Sequence, residues 1–261
     1  MKSIVVCLLC ITLCLPILVS CNTNEVKNDL DYYENIGYRK TTNGYILSDI
    51  EKYSSAKLTV PDRLPDGMIV TGIIVDDFSK IEELYLSDSI SFLLIYNDQL
   101  KKIHFGANTN ESGALLAVQQ QHLEEITVSA SNSRYYAENN CIIERDTQTV
   151  VFGCKNSNIP HGVQEIGKMA FSNVPITSIN IPESVTKIGI SAFAYCTELK
   201  EVFIPKTVRE IGACAFFATP DLLINCESES KPDGWDEEWI YTERAVKIGA
   251  DSINWCVTRE E

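Results

Sequence analysis

The chain has 261 residues, 22 Lys+Arg against 36 Asp+Glu, a formal charge of −14 and a hydrophobic fraction of 45 %. That apolar content excludes wholesale disorder. The acidic balance excludes nucleic acid as a partner, whose phosphates call for a basic surface. Four of the ten cysteines (Cys7, Cys10, Cys14, Cys21) crowd into the first 21 residues, which thins the rest below a disulfide scaffold.

Residues 1–20 read as a signal peptide. Met1-Lys2-Ser3 is a short positive start, and an apolar run from Ile4 to Leu15 comes next, closed by small residues. The stretch is barely long enough to cross a bilayer and lacks a polybasic stop behind it. Its ending, Leu18-Val19-Ser20-Cys21, resembles a bacterial lipobox. The resemblance implies cleavage before Cys21, lipidation of Cys21 and membrane attachment through the lipid alone, for which two acyl signals suffice. Residues 21–40 are then expected to be the lipidated Cys and a flexible polar tether. Asp is absent just after Cys21, which by resemblance to enterobacterial lipoproteins favours an outer-membrane lipoprotein on the cell surface.

A period of about 22 residues organises the rest of the chain. Ile159-Pro160, Val163, Ile166-Gly167 and Ala170-Phe171 recur as Ile181-Pro182, Val185, Ile188-Gly189, Ala192-Phe193, and again as Ile204-Pro205, Val208, Ile211-Gly212, Ala215-Phe216. A fourth copy, Val60-Pro61 with Val70, Ile73 and Phe78, carries an insertion at Asp66-Gly67. Between these blocks runs a six-residue string: Ile81–Leu86, Leu100–Phe105, Leu123–Val128, Ile176–Ile181 and Leu199–Ile204. Apolar residues stand at its positions one, four and six. Positions four and six share a face of a strand, so each string is predicted to be a short strand stacked in parallel on the next. The Gly is expected to support a tight bend on the return side, and the Phe to plug the core. One such repeat cannot bury its own apolar face, so stability comes from stacking.

These residues resemble the BspA-like class of leucine-rich repeat, known from surface proteins of oral and gut bacteria, over roughly residues 40 to 240. The resemblance implies an α/β leucine-rich-repeat solenoid, β-rich, over 41–225. It also implies an inserted β-hairpin at about 133–156 and a Trp-containing C-terminal cap over 226–261. The middle copies depart from the pattern. Residues 87–122 lose the Ala-Phe plug, and Ile81 to Leu100 is a step of only 19.

Folding the hairpin about Thr147-Gln148 sets Cys141 opposite Cys154 and Ile143 opposite Phe152. The exported compartment permits a disulfide there, and two free thiols are the other reading. Cys196 and Cys214 are expected as small core residues, and Cys226 and Cys256 could bridge near the cap, although nothing in the sequence constrains that pairing. The three histidines, His104, His122 and His161, are scattered, and no metal or cofactor motif is present. No nucleophile elbow or phosphate loop appears either, so the chain is not expected to be an enzyme. Asp88-Ser89-Ile90 and Asp251-Ser252-Ile253 resemble an O-glycan acceptor pattern of some anaerobes, and ordinary turns are the simpler reading.

Position five of each string points away from the core. That column is Tyr85, His104, Thr127, Asn180 and Phe203, flanked by Glu83, Lys102, Glu125, Ser178 and Glu201. Aromatics are out of place on a solvated strand, and as large rigid surfaces they favour recognition. This face is therefore expected to bind a protein or glycan ligand. A structural or assembly role with a partner in the same cell envelope is the alternative.

Overall fold

The computed structural model describes residues 30–75, 80–95, 99–109, 122–240 and 253–258. Residues 1–29, including the signal peptide and Cys21, lie outside the described residues, as do Phe78 and the Asp251-Ser252 pair.

The chain begins with an antiparallel ribbon, β1 (Leu30–Tyr33), β2 (Ile36–Thr41) and β3 (Gly44–Asp49). From there the path alternates between two sides. On one side β4 (Lys57–Thr59) starts a parallel ladder, while β5 (Val70–Val75) returns beside β3. β6 (Glu83–Tyr85) joins β4, β7 (Phe92–Ile95) joins β5, and β8 (Lys102–Phe105) and β9 (Glu125–Val128) extend the first ladder. A meander of β10 (Tyr135–Glu138), β11 (Cys141–Glu144) and β12 (Thr149–Gly153) interrupts the coiling. It resumes through β13 (Glu165–Ile166), β14 (Ser178–Asn180), β15 (Lys187–Ile188), β16 (Glu201–Ile204), β17 (Glu210–Ile211), β18 (Leu223–Cys226) and β19 (Ile253–Asn254). The string side therefore holds two sheets, β4-β6-β8-β9 and β14-β16-β18-β19. The return side holds β1-β2-β3-β5-β7 and β10-β11-β12-β13-β15-β17.

No helix occurs among the described residues, so the solenoid is β-rich as expected and its described returns are built from short strands and turns. Two left-handed residues per return explain this. Met169, Ser191 and Cys214 have φ of 57°, 55° and 56°, and Asn173, Tyr195 and Ala218 have 63°, 61° and 55°. Such residues end a right-handed helix, and they turn the amides toward the next coil. Phe171 N donates to Ala192 O at 2.8 Å and Phe193 N to Ala215 O at 2.8 Å. The repeated glycines serve closeness rather than the bend expected of them, since among the described glycines only Gly44, Gly67 and Gly162 have positive φ. A Cβ on Gly189 would stand 2.6 Å from Lys168 N, and one on Gly212 2.7 Å from Ile190 N.

The Phe plugs behave as expected. Phe171, Phe193 and Phe216 are fully buried, with centroids 5.4 and 5.3 Å apart and rings within 9° of parallel. Trp239 closes that column edge-on at 6.0 Å from Phe216. Trp235 bridges Ile211, donates its Nε1–H to Val208 O at 3.1 Å, and packs on Trp239 at 4.8 Å. The backbone ladder also ends on the cap, where Glu238 O and Trp239 O accept from Cys214 N and Phe216 N. β19 then adds one more strand to the string-side sheet.

The insertion is an internal wall. Ile142 and Phe152 face the N-terminal core, where Phe152 meets Phe105 edge-on at 6.1 Å, while Cys141, Ile143 and Val150 face the C-terminal core. A strand buried on both faces carries consecutive apolar residues, as Cys141-Ile142-Ile143 and Val150-Val151-Phe152 do.

Two expectations are corrected. The tether does not run to residue 40, because Ile36 and Tyr38 are 4 % and 2 % exposed within β2 and tie residues 30–41 into the sheet. Nor does Cys141 face Cys154. A bulge between Ile142 and Ile143 shifts the register, so that Cys141 pairs with Gly153 and Ile142 with Phe152. Both cysteines are buried free thiols.

Candidate functional site

The string side presents its outward residues in rows along each sheet, because its inward residues are fixed by the core. Leu58, Leu84, Ile103 and Ile126 point inward from the first sheet, and Ile179, Val202 and Ile224 from the second. Alternation then turns Tyr85, His104 and Thr127 outward, together with Thr59 of β4. Asn180 and Phe203 occupy the same position in the second sheet, joined by Asn225 and Asn254. Thr59, Asn225 and Asn254 escape the sequence pattern because their strings carry Ser55 and Asp221 at position one, or lie within the expected cap. Leu58 with Val60, and Ile224 with Cys226, were the available signals. The five expected residues thus lie on one side but in two groups, Tyr85-His104-Thr127 and Asn180-Phe203, separated by the wall.

The first row is locked laterally. The Lys57 ammonium lies 4.5 Å from the Tyr85 ring centroid. On the other side Tyr85 stacks on His104 at 6.2 Å and 27°. His104 Nδ1 shares a 2.8 Å hydrogen bond with Thr127 Oγ1, and the Tyr85 hydroxyl donates to Glu83 at 3.3 Å. Tyr85 is therefore half-buried and offers its ring edge and hydroxyl rather than a ring face. Phe203 is half-buried as well. In the second row Asn254 Nδ2 donates to Asn225 at 2.8 Å, and Asn225 Nδ2 donates to Glu201 at 2.6 Å.

Flanking charges alternate along the solenoid and cancel. Lys101 pairs with Glu82 at 2.9 Å, Lys102 with Glu125 at 3.1 Å, and Lys155 with Glu124 at 2.7 Å. Hydrogen bonds donated to those carboxylates hold the Lys101 and Lys102 ammonium groups above the usual lysine range, and the Lys155 ammonium holds Glu124 below the usual carboxylate range. These pairs are exposed, so they set register more than they add stability. No group of three or more potential metal ligands occurs among the described residues, and no helix among them is long and apolar enough to cross a membrane. Ser89 of the first glycan-acceptor-like triplet donates its hydroxyl to Val70 O at 2.7 Å, as a residue of an ordinary turn does.

The family model of the BspA type leucine rich repeat region, with six copies, matches residues 147–230. No curated protein matches. A leucine-rich repeat protein from Eubacterium ventriosum is 17 % identical over 82 % of this chain and 72 % of its own, with a TM-score of 0.42. A leucine rich cell surface protein from Faecalibacterium prausnitzii is 13 % identical over 88 % and 95 %, with a TM-score of 0.33. The pneumococcal vaccine antigen PcpA is 13 % identical over 87 % and 92 %, also at 0.33. The matched span holds all three gapless repeats, their stacked phenylalanines and the start of the cap, so it is over residues 147–230 that the chain is similar to the BspA type leucine-rich repeat region.

Proposed function

We propose that this chain is a lipid-anchored cell-surface binding protein whose string side recognises a protein or glycan ligand. The observation that carries the reading is the outward row itself. Aromatic rings, an imidazole, hydroxyls and amides stand at the same strand position in two sheets, on a scaffold whose alternate strand positions are committed to the core. Extended regular surfaces of this kind are what stacked repeats offer to partners, while the scaffold leaves the partner unspecified. Binding rather than catalysis is proposed, because Glu82, Glu124 and Glu125 beside the first row are tied into ion pairs with lysines. The anchor rests on the lipobox-like Cys21 and is tested separately, by loss of labelled-fatty-acid incorporation in Cys21→Ser.

The test immobilises residues 22–261, which contain every described element. Matrix proteins, mucins, polysaccharides and an envelope extract of the producing cell are passed over it, and each hit is repeated with Tyr85→Ala and Phe203→Ala. A host-side hit weakened in either variant supports adhesion through this face. A hit only from the envelope extract assigns the protein to envelope assembly instead, and protease shaving of intact cells then shows no cleavage.

A further inference from the structure

The return side holds a groove of about 440 Å³ that lies apart from the outward row of the string side. Its geometry arises from the repeat. Glu165, Lys187 and Glu210 form one rail on β13, β15 and β17, whereas Lys168 and Ile190 stand on the other rail, two residues past the strand. Between the rails runs the position held by glycine in successive coils. It has no side chain because a Cβ would strike the preceding coil. The fourth coil departs from this pattern. Asp236 N donates to Ile211 O at 2.7 Å, just as Gly212 N donates to Ile188 O at 2.9 Å. Asp236 therefore stands in the glycine position and closes the trough with a carboxylate.

The charges in this groove are not compensated as those of the string side are. Lys187 is neutralised by Glu165 at 3.1 Å. Lys168 at one end, and Glu210, Asp233 and Asp236 at the other, make no ion pair among the described residues. Ile190 lies between them, 40 % exposed and one of three large hydrophobics so exposed among the described residues. Coils stack at about 4.8 Å, so three steps set the backbone of Lys168 about 14 Å from that of Asp236 along the stack.

We infer that this groove seats an extended peptide segment with an acidic side chain over Lys168, an apolar one over Ile190, and a basic one against Glu210 and Asp236. An extended chain advances about 3.3 Å per residue and returns to the same face every second residue. Positions one and five of a pentapeptide, about 13 Å apart, therefore match the two charged ends in span and polarity, and position three falls between them on the side of the apolar Ile190.

The probe is the N-acetylated, C-amidated peptide Glu-Ser-Val-Ser-Lys, titrated by NMR into residues 22–261 at low salt. The control is the reversed-polarity peptide Lys-Ser-Val-Ser-Glu. Saturable binding of the first and weaker binding of the second are expected. Lys168→Glu and Glu210→Lys, both at exposed positions, should each weaken the first peptide by up to about fivefold, the scale of one exposed ion pair. The double charge reversal should restore binding to the reversed peptide. Equal binding of the two peptides, indifference to both variants, or no saturation would overturn the inference. So would loss of binding in Tyr85→Ala or Phe203→Ala, which would move the peptide to the string side, and neither result depends on whether that side has its own ligand.

Discussion

Replacing Phe193 by Ala is the sharpest test of the stacked core. The ring is fully buried, and Phe171 and Phe216 cover its two faces at 5.4 and 5.3 Å in near-parallel geometry. A buried Phe→Ala change costs about 3–5 kcal/mol through lost transfer energy and the cavity left behind. Two stacked contacts are lost together here, and neither neighbour can close the gap without leaving its own coil, so about 4–5 kcal/mol is expected. With a urea slope near 3 kcal/mol/M for a chain of this size, the midpoint should fall by about 1.5 M at unchanged slope. Phe203→Ala, on the outward row, should cost under about 1 kcal/mol. The assay is equilibrium urea unfolding followed by circular dichroism. Equal midpoint shifts in the two variants would refute the assignment of inward and outward positions.

The remaining tests address the returns and the thiols. Gly189→Ala should destabilise by several kcal/mol despite its small size, because the new methyl meets backbone at 2.6 Å; an unchanged melting temperature would refute the close-approach argument. Ala218→Gly, at φ 55°, should stabilise by up to about 1 kcal/mol by relieving left-handed strain, as a thermal melt would show. Exposed Cys256 should react with iodoacetamide in the native protein, while buried Cys141, Cys196 and Cys226 label only after unfolding, as peptide mapping would report. Burial pushes those three thiols up to about 12 from 9.0. Their protonated forms are thus favoured by folding, a contribution present below about pH 9 and lost as pH rises from 9 towards 12. The melting temperature should fall across that window, and less steeply in Cys196→Ala.

The repeat, the plugs and the string strands were legible because each depends on a side chain recurring at a fixed interval. Leu84, Ile103, Ile126, Ile179 and Val202 mark their strands by size and period alone. The left-handed returns were not legible, since Met169, Ser191 and Cys214 share a conformation but no chemistry. Their backbone is imposed by the ladder between coils, and that overrides local preference. The ribbon of residues 30–41 was hidden by its polar neighbours, although Ile36 and Tyr38 carry the alternation. At the candidate site the outward column was legible, but its occupancy was not. Lys57, which covers one face of Tyr85, belongs to a string without an apolar first position.

The wall formed by β11 and β12 decides whether the protein behaves as one unit or two. In a stacked-repeat protein each coil is stabilised by its nearest neighbours, so a defect stays local unless the interface beyond it is strong. This wall buries Ile142 and Phe152 against one core and Ile143 and Val150 against the other, so the N-terminal and C-terminal cores share a single sheet. All three tryptophans, Trp235, Trp239 and Trp255, lie at the C-terminal end, where their fluorescence reports that half alone. Phe152→Ala removes about 3–5 kcal/mol of packing from the N-terminal core. If the wall couples the halves, the Trp-detected urea midpoint falls together with that from circular dichroism. If the halves are independent, the circular-dichroism curve splits in two while the tryptophan midpoint stays in place. Only the coupled outcome makes the two string-side sheets one rigid platform, able to hold a ligand that reaches from Tyr85 to Phe203.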